Sequence, residues 1–374
     1  MEKKFDFLPY SGALSFNCFL SENSLGRRLP IVGADDDASY IGAFDPFFID
    51  KEKIRLSKSL RRLDDKTQVF IDHRSNPHIR NRRSHTDEVV SIAVYIAKIL
   101  GLNVYLVEAI ALGHDIGHSP FGHLGERAIR DFSGRNFEHC IMSVVVSQFI
   151  ERNGKGLNLS WEVLEGIANH SRGIGGLQIN PNLPLEYAVV MLADKIAYVF
   201  SDLNDALRCG YFKENDLPSE FFELGKNQRE RWNNCIFNLV KESAEKMTVS
   251  FLDSDVAQKF SYLRDWSFNN FYLKLDKEFQ RESVYEDFKL VYPKLNKRLE
   301  GINQDVSLPI ALMTDSEFRK IAQTLKKDKK KFLAPDYFNN FGFYEIVSNL
   351  PKDSKIDICN AGLNKSKFQN FNAW

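Results

Sequence analysis

Residues 82–126 constrain the fold of this 374-residue chain more than any other stretch. Apolar residues between Ser84 and Gly101 recur at spacings of three and four, which predicts a helix with one buried face. Ser84, with Asp87 three residues later, is typical of a helix N-cap, and Gly101 is typical of the residue that follows a helix end. Four of the eight histidines also fall in this stretch, namely His85, His114, His118 and His123.

The same spacing, interrupted by glycine and proline, predicts a series of further helices. We expect them at 50–63, 104–114, from 122 onward, 137–150, 161–170 and 184–209, with helical patterns continuing beyond 213. Few segments show the apolar–polar alternation of strands. The sequence therefore predicts an all-α fold.

The composition argues against several classes of partner. Fifty basic and fifty acidic residues give a formal net charge of zero, so charge indicates neither nucleic acid nor a membrane surface as a partner. No apolar run reaches the roughly eighteen residues that a membrane-spanning helix needs. The five cysteines are scattered, and the first residues lack an apolar leader, which together predict reduced thiols and a cytoplasmic protein.

His114 and Asp115 place an imidazole and a carboxylate on adjacent residues at the end of a predicted helix. Both can reach one ion only if the ion lies over the helix end, and His85, at the start of the preceding helix, can complete the set. Mixed nitrogen and oxygen ligands suit a divalent ion such as Mn²⁺, Fe²⁺, Zn²⁺, Ni²⁺ or Mg²⁺. We expect a fourth ligand from further along the chain, and Asp194 is the best candidate.

Asp194, Tyr198 and Asp202 are spaced so that they share one face of a predicted helix. Periodicity alone favours an ordinary solvent-exposed helix face, because Val189 and Ile196 lie on the apolar face opposite to it. From spacing alone, therefore, the metal-ligand interpretation of Asp194 stays the less favoured one.

His123 and Glu126 are three residues apart on a predicted helix, so their side chains can hydrogen-bond to each other. A carboxylate behind an imidazole raises the pKa of the ring, which suits a general acid. The alternative is a structural histidine beside a surface glutamate. The other histidines carry weaker signals: we interpret His139 and His170 as structural when each is taken alone, and His73 and His78 as exposed loop residues.

Several segments together resemble the HD-domain superfamily and, within it, the family of dGTPase-like dNTP triphosphohydrolases. These segments are residues 61–70, 80–89, 108–126, 154–163, 166–170 and 192–198. A His-Asp pair is weak evidence by itself, but several motifs in the family's order are specific. The resemblance covers about half of the chain, from 24 to 210, and implies an HD-domain helical core followed by a helical C-terminal cap region.

The resemblance also implies a role for each matched position. Four positions match the ligands of one divalent metal ion: His85, His114, Asp115 and Asp194. Two match the catalytic pair: His123 and Glu126. Four match residues that contact the triphosphate: Arg82, His118, His139 and Lys195. Tyr198 and Asp202 match residues beside the deoxyribose, and Gln68 is a weaker candidate for the same pocket.

The activity implied by the resemblance is metal-dependent hydrolysis of dGTP or other dNTPs to deoxynucleoside and inorganic triphosphate. The resemblance further implies a homo-oligomer, often a hexamer, with a nucleotide effector. One alternative is an HD phosphohydrolase acting on nucleoside monophosphates or cyclic nucleotides, and another is a nucleotide-binding regulator with little turnover. Release of triphosphate distinguishes the dNTP triphosphohydrolase activity from both alternatives.

The chain also departs from the family pattern. Residues 140–143 read Cys-Ile-Met-Ser where the family usually has Asn-Glu-Gln-Ser, and Lys195 replaces an acidic residue of strict dGTPases, which weakens the case for dGTP specificity. An acidic insert at 35–37 and most of 213–374 have no counterpart in the resemblance. The predicted division is an N-terminal segment at 1–50, a catalytic core at 51–212 and a helical C-terminal region at 213–374.

Overall fold

The computed structural model of the chain describes residues 5–27, 43–70, 76–171, 176–278, 280–299, 306–350 and 356. Within these ranges the chain is helical, and extended pairing is limited to two isolated bridges, Arg27 with Ser160 and Thr67 with Asn81. The predicted all-α fold is therefore confirmed. The predictions for the acidic insert and for His73 concern residues outside the described ranges.

The described part of residues 5–210 contains eight α-helices. Their bounds are α1 Pro46–Arg55, α2 Lys58–Arg62, α3 Arg82–Leu100, α4 Val104–Gly113, α5 Gly122–Ser133, α6 His139–Val145, α7 Trp161–Asn169 and α8 Leu185–Arg208. A π-helical turn at Val146–Ile150 continues α6. Short 3-10 turns lie at Leu8–Tyr10, Ser15–Asn17, Ser21–Asn23 and Leu63–Asp65.

The described part of the C-terminal half adds nine shorter or more exposed helices. Their bounds are α9 Ser219–Glu223, α10 Gln228–Lys246, α11 Asp255–Ser267, α12 Leu273–Glu278, α13 Gln280–Arg298, α14 Ser307–Leu312, α15 Asp315–Lys327, α16 Lys329–Leu333 and α17 Gly342–Ser348. A π-helical segment at Phe268–Tyr272 joins α11 to α12. None of the helices in the described ranges combines the length and the hydropathy that crossing a membrane requires.

Three helices, α3, α4 and α8, form the centre of the molecule. α3 packs against α4 and α8, and α4 also contacts α1 and α7. α8 is buried along most of its length, and side chains such as Leu192 and Ile196 are fully covered. Because each fully buried aliphatic side chain stabilises the fold by about 1.5–3 kcal/mol, this layer is a firm support for polar residues at the helix ends.

Three predicted helix boundaries were wrong, and each error comes from a capping side chain. The helix expected from residue 50 begins at Pro46, because Asp45 accepts a hydrogen bond from the backbone N–H of Phe47 as its N-cap. The helix expected at 50–63 is divided, because Ser57 accepts a hydrogen bond from the backbone N–H of Leu60 and begins α2 as its N-cap. Asn81, not Ser84, caps α3, and the two residues form a reciprocal capping box. The helix predicted at 184–209 agrees with α8 to within one residue at each end.

Candidate active site

His114 and Asp115 lie directly after α4, where its helical hydrogen bonding ends. His114 Nδ1 donates to the carbonyl oxygen of Ala111 at 2.7 Å, so the lone pair of the ring lies on Nε2. That Nε2 is buried without a hydrogen-bond partner among the described residues, 3.5 Å from Asp115 Oδ2. Arg82 donates to the same carboxylate oxygen at 2.8 Å. Burial alone would raise the pKa of Asp115, but the nearby His114 and Arg82 hold that pKa well below its usual range.

His85 and Asp194 join this group from two neighbouring helices. His85 lies in the first turn of α3, and its Nε2 is 3.0 Å from Asp194 Oδ1 on α8. Burial alone would lower the pKa of His85, but the hydrogen bond and the negative charge of Asp194 raise it above its ordinary value. The His85 and His114 rings are 5.5 Å apart, so α3, α4 and α8 bring all four predicted metal ligands to one place.

The donor set fits a divalent metal ion. His85, His114 and Asp115 each offer a ligand atom, and these atoms all lie within 4.8 Å of one another. A buried imidazole nitrogen without a partner, held by a hydrogen bond on its other nitrogen, is the arrangement that metal-binding histidines show. The predicted ligand chemistry is thus compatible with the geometry, and Asp194 reaches the group through its contact with His85.

Glu126 contacts a different histidine from the one expected. It accepts hydrogen bonds from the backbone N–H and from Nδ1 of His139, both at 3.2 Å. Glu126 lies on the buried face of α5 and points toward α6, whereas His123 lies on the exposed side of the same helix. Burial opposes charge on both partners, but their attraction lowers the pKa of Glu126 to about 2 and raises that of His139. The sequence prediction missed this contact because it depends on how α5 and α6 cross.

His118 and His123 extend the cluster beyond the predicted metal ligands. The His118 ring stacks on His139 at 4.6 Å with an angle of 11°, and neither nitrogen of His118 has a partner among the described residues. His123 stands 5.1 Å from His118 and 5.5 Å from His139. Partial burial of the ring and the nearby Arg82 lower the pKa of His123 to about 4, although the side chain is exposed. These rings and Arg82 form a surface rich in nitrogen donors.

On the other side of Asp194, α8 carries the residues predicted for the sugar. Asp202 is buried, and burial raises its pKa to about 7. Tyr272, from the π-helical segment after α11, donates to Asp202 Oδ2 at 2.7 Å, and its ring lies 6.3 Å from that of Tyr198. The prediction did not include Tyr272, because it is 70 residues from Asp202 in sequence and no local motif marks it.

The remaining predicted site residues are buried near this cluster. Lys195 is buried on α8 next to Asp194. Gln68 is buried before α3, and its carbonyl oxygen accepts a hydrogen bond from Arg82 at 3.4 Å. Arg264 on α11 was not predicted as a site residue. It is buried, and its positive charge lowers the pKa of Tyr198, whereas burial of Tyr198 raises that pKa. The site therefore combines residues from both halves of the chain.

His170, interpreted from sequence as structural, is part of the same cluster. It follows α7, and its Nδ1 donates to the carbonyl oxygen of Ile167 at 2.6 Å. Its Nε2 lies 3.3 Å from Nε2 of His139, and its ring is 4.9 Å from that of His114. Burial lowers the pKa of His170 to about 3, which keeps the ring neutral.

The loop that carries the histidines is held from two sides. The carbonyl of His114 and the amide of Gly117 both bind the Ser143 hydroxyl, at 2.8 and 2.9 Å. Any side chain at Gly117 would clash, because a Cβ there would lie 2.1 Å from the Ser143 nitrogen. Ser143 belongs to the unusual segment 140–143, in which Ile141 and Met142 are buried in the core.

Asp315, at the start of α15, holds the loop from the C-terminal half. Its carboxylate accepts from the backbone amides of Thr67 and Phe121, at 3.1 and 2.9 Å. Phe121 has φ of 63°, a strained conformation for a residue with a side chain, and this contact stabilises it. Nearby, the buried amine of Lys66 donates to the carbonyl oxygens of His118 and Ala311. The C-terminal half thus positions the loop between α4 and α5.

Comparison with known proteins identifies the family of the chain. Residues 82–199 match the HD domain, which defines the class of the site. A relative from Clostridium perfringens (strain SM101 / Type A), named deoxyguanosinetriphosphate triphosphohydrolase-like protein, is 41% identical over 297 residues, covering 74% of this chain and 86% of the relative. Relatives of the same name from Clostridium tetani and Caldanaerobacter subterraneus subsp. tengcongensis are each 37% identical, covering 72% and 77% of this chain and 82% and 85% of their own lengths.

The chain therefore belongs to the deoxyguanosinetriphosphate triphosphohydrolase-like family of HD-domain proteins. The shared region, 74% of the chain, is larger than the half that sequence motifs alone had matched. Part of the C-terminal half is accordingly common to the family.

Proposed function

We propose that this protein is a metal-dependent dNTP triphosphohydrolase, which converts a dNTP and water to a deoxynucleoside and inorganic triphosphate. The observation that carries the proposal is the position of the His85, His114 and Asp115 group beside the nitrogen-rich surface around Arg82 and His118. Such a surface suits several phosphates, and the names of the relatives support this substrate class.

His85, His114, Asp115 and Asp194 are the proposed ligands of one divalent ion, which when bound supplies positive charge at the α-phosphate and lowers the pKa of water. His114 is prepared for this role by its hydrogen bond to Ala111. Metal analysis of the purified protein identifies which of Mn, Mg, Fe, Ni and Zn is bound.

We assign the phosphates to Arg82, His118, His139 and Lys195, and the proton for the departing 5′-oxygen to His123. Glu126 and His170 occupy the two nitrogens of His139, so His139 would reach a phosphate only by exchanging its contact with His170, and it is less suited than His123 to protonate the leaving group. His123 makes no hydrogen bond to the described residues, and its side chain is exposed. A bound triphosphate would raise its low pKa, because negative charge nearby favours the imidazolium form.

Glu126 supports this proton transfer in a different way from the one first expected. Its charge still favours protonated His123, although its hydrogen bonds go to His139. Glu126 therefore holds the His139 ring in place, and His139 in turn stacks on His118. The proposed catalytic residues remain His123 and Glu126, with Glu126 acting largely through its neighbour.

For the deoxyribose we propose Tyr198, Asp202 and Tyr272, with Gln68 at the edge of the pocket. Asp202 is fixed by the Tyr272 hydroxyl and has a pKa of about 7, so its carboxyl group can both donate to and accept from a sugar hydroxyl. Two aromatic rings beside it leave restricted space, which supports a preference for 2′-deoxy nucleotides.

The decisive experiment is product analysis with each of the four dNTPs, GTP, a deoxynucleoside monophosphate and a cyclic nucleotide, each with several divalent metals. Release of triphosphate from dNTPs supports the proposal. Release of single phosphates, or turnover of the monophosphate or cyclic nucleotide instead, supports the alternative phosphohydrolase. Tight dNTP binding with every metal but no product supports a regulator.

The proposal extends to a cytoplasmic homo-oligomer regulated by a nucleotide, for which the support is the family resemblance. Light scattering on the protein with and without dNTP, at several protein concentrations, measures the mass of the particle. A monomer under all conditions would contradict this part without affecting the proposed reaction.

A further inference from the structure

We propose that Lys66 is a positioning residue for the proposed reaction. Its buried amine fastens the loop between α4 and α5 to the end of α14, and thereby holds His118 where the triphosphate binds. This inference rests on the proposed function, because that function assigns a phosphate to His118. Lys66 acts through His118 and not on the substrate itself.

The amine of Lys66 has two acceptors, one from each half of the chain. It donates to the carbonyl oxygen of His118, in the loop after α4, and to that of Ala311 on α14 at 2.9 Å. Lys66 is buried, and so is every residue of α14. One side chain therefore joins the backbone of His118 directly to the C-terminal half.

The end of α14 is a suitable anchor for this amine. Ala311 lies in the last turn of the helix, which ends at Leu312. Carbonyl groups in the last turn lack the N–H partners that a continuing helix would supply, and buried ones need another donor. Lys66 supplies that donor, so its bond to Ala311 satisfies a carbonyl group that α14 itself leaves open.

A buried amine at this position opposes folding more than an apolar side chain would. Burial is the main cause that lowers the pKa of Lys66 to about 7; the nearby Arg62 and Arg82 lower it further, whereas Asp315 and Glu317 raise it. A methionine of similar length would fill the same space without burying a charge. What the amine adds is its pair of bonds to the two carbonyl oxygens.

His118 depends on its backbone for its position. Its ring stacks on that of His139, and neither ring nitrogen has a hydrogen-bond partner among the described residues. Its backbone, by contrast, is held on both sides: the amide donates to the carbonyl oxygen of Asp115 at 2.9 Å, and the carbonyl accepts from Lys66. Loss of the amine would therefore release one of the two bonds that place the ring.

Arg82, the neighbouring residue of the phosphate surface, is held without the amine. Its guanidinium group donates to the carbonyl oxygens of Thr67 and Gln68 and to the carboxylate of Asp115. We therefore expect Arg82 to keep its position when Lys66 is replaced, so that the effect of the replacement falls on His118.

The test is a double-mutant cycle on the full chain at one fixed concentration of free Mn²⁺. Equilibrium dialysis measures binding of inorganic triphosphate and of deoxyguanosine to the wild type, Lys66→Met, His118→Ala and the double variant. We expect Lys66→Met to weaken triphosphate binding about 10- to 100-fold, as the loss of one hydrogen bond to a charged group does, and to leave deoxyguanosine binding within about twofold. In the His118→Ala background, Lys66→Met should weaken triphosphate binding by less than about twofold further, because the two residues act through one contact.

Lys58→Met is the matched control, because Lys58 also reaches the C-terminal half, through an exposed pair with Glu345, and it should bind both ligands as the wild type does. Circular dichroism checks folding. Should Lys66→Met fail to fold, Lys66→Gln, whose amide is one bond shorter than the amine, should show the same pattern with a smaller loss. Unchanged triphosphate binding in a folded variant, equal weakening of both ligands, or effects that multiply in the double variant would overturn the positioning role. A wild type that binds no triphosphate would overturn the proposed function itself.

Discussion

Replacing Asp315 with alanine should destabilise the whole protein and loosen the loop between α4 and α5. The buried carboxylate accepts from the backbone amides of Thr67 and Phe121 and from the Thr67 hydroxyl. Alanine would leave two buried N–H groups without an acceptor, each costing about 1–3 kcal/mol. We therefore expect the free energy of unfolding to fall by about 2–6 kcal/mol, with extra strain at Phe121.

Chemical denaturation followed by circular dichroism measures this loss. Asp315→Asn keeps one carbonyl oxygen as an acceptor and should lose roughly half as much. Asp336→Ala, an exposed aspartate in the same C-terminal half, is the control and should stay within about 0.5 kcal/mol of the wild type. A stability of Asp315→Ala equal to that of the control would show that α15 does not hold the loop.

Further predictions concern the site itself. Asp115→Ala should lose both bound metal and turnover, and elemental analysis showing full occupancy would contradict the ligand assignment. His123→Ala should keep its metal and bind dNTP, yet react about 10²–10⁴-fold more slowly in single-turnover cleavage; adding Glu126→Ala should slow the reaction further, because Glu126 holds His139 rather than His123. Tyr272→Phe should reduce the preference for dGTP over GTP, which competition between the two measures; an unchanged ratio would remove Tyr272 from the sugar pocket. Burial raises the pKa of Asp202 to about 7, so the folded chain keeps a proton that the unfolded chain releases above about pH 4. The free energy of unfolding should therefore fall as the pH rises from about 4 to about 7, and it should fall less in Asp202→Asn. Equal pH dependence of the unfolding midpoint in both proteins would refute this last prediction.

Local sequence determined the helices and the kinds of residue at the site. Apolar spacing placed α4 and α8 to within one residue or so, and Gly101, with φ of 79°, ends α3 as expected. These features depend on residues within about one helical turn, so they can be inferred without knowing the fold. The boundary errors, at Asp45, Ser57 and Asn81, are choices between capping residues a few positions apart.

The partners of the site residues were decided by tertiary structure. Glu126 contacts His139 rather than His123, and Tyr272 and Asp315 contact Asp202 and the backbone of Phe121 from the C-terminal half. Such contacts depend on the angles and offsets at which helices pack, which arise from many side chains far apart in sequence. His170 shows the same limit: its residue type was visible in the sequence, but only the packing of α4, α6 and α7 brings it to His114 and His139.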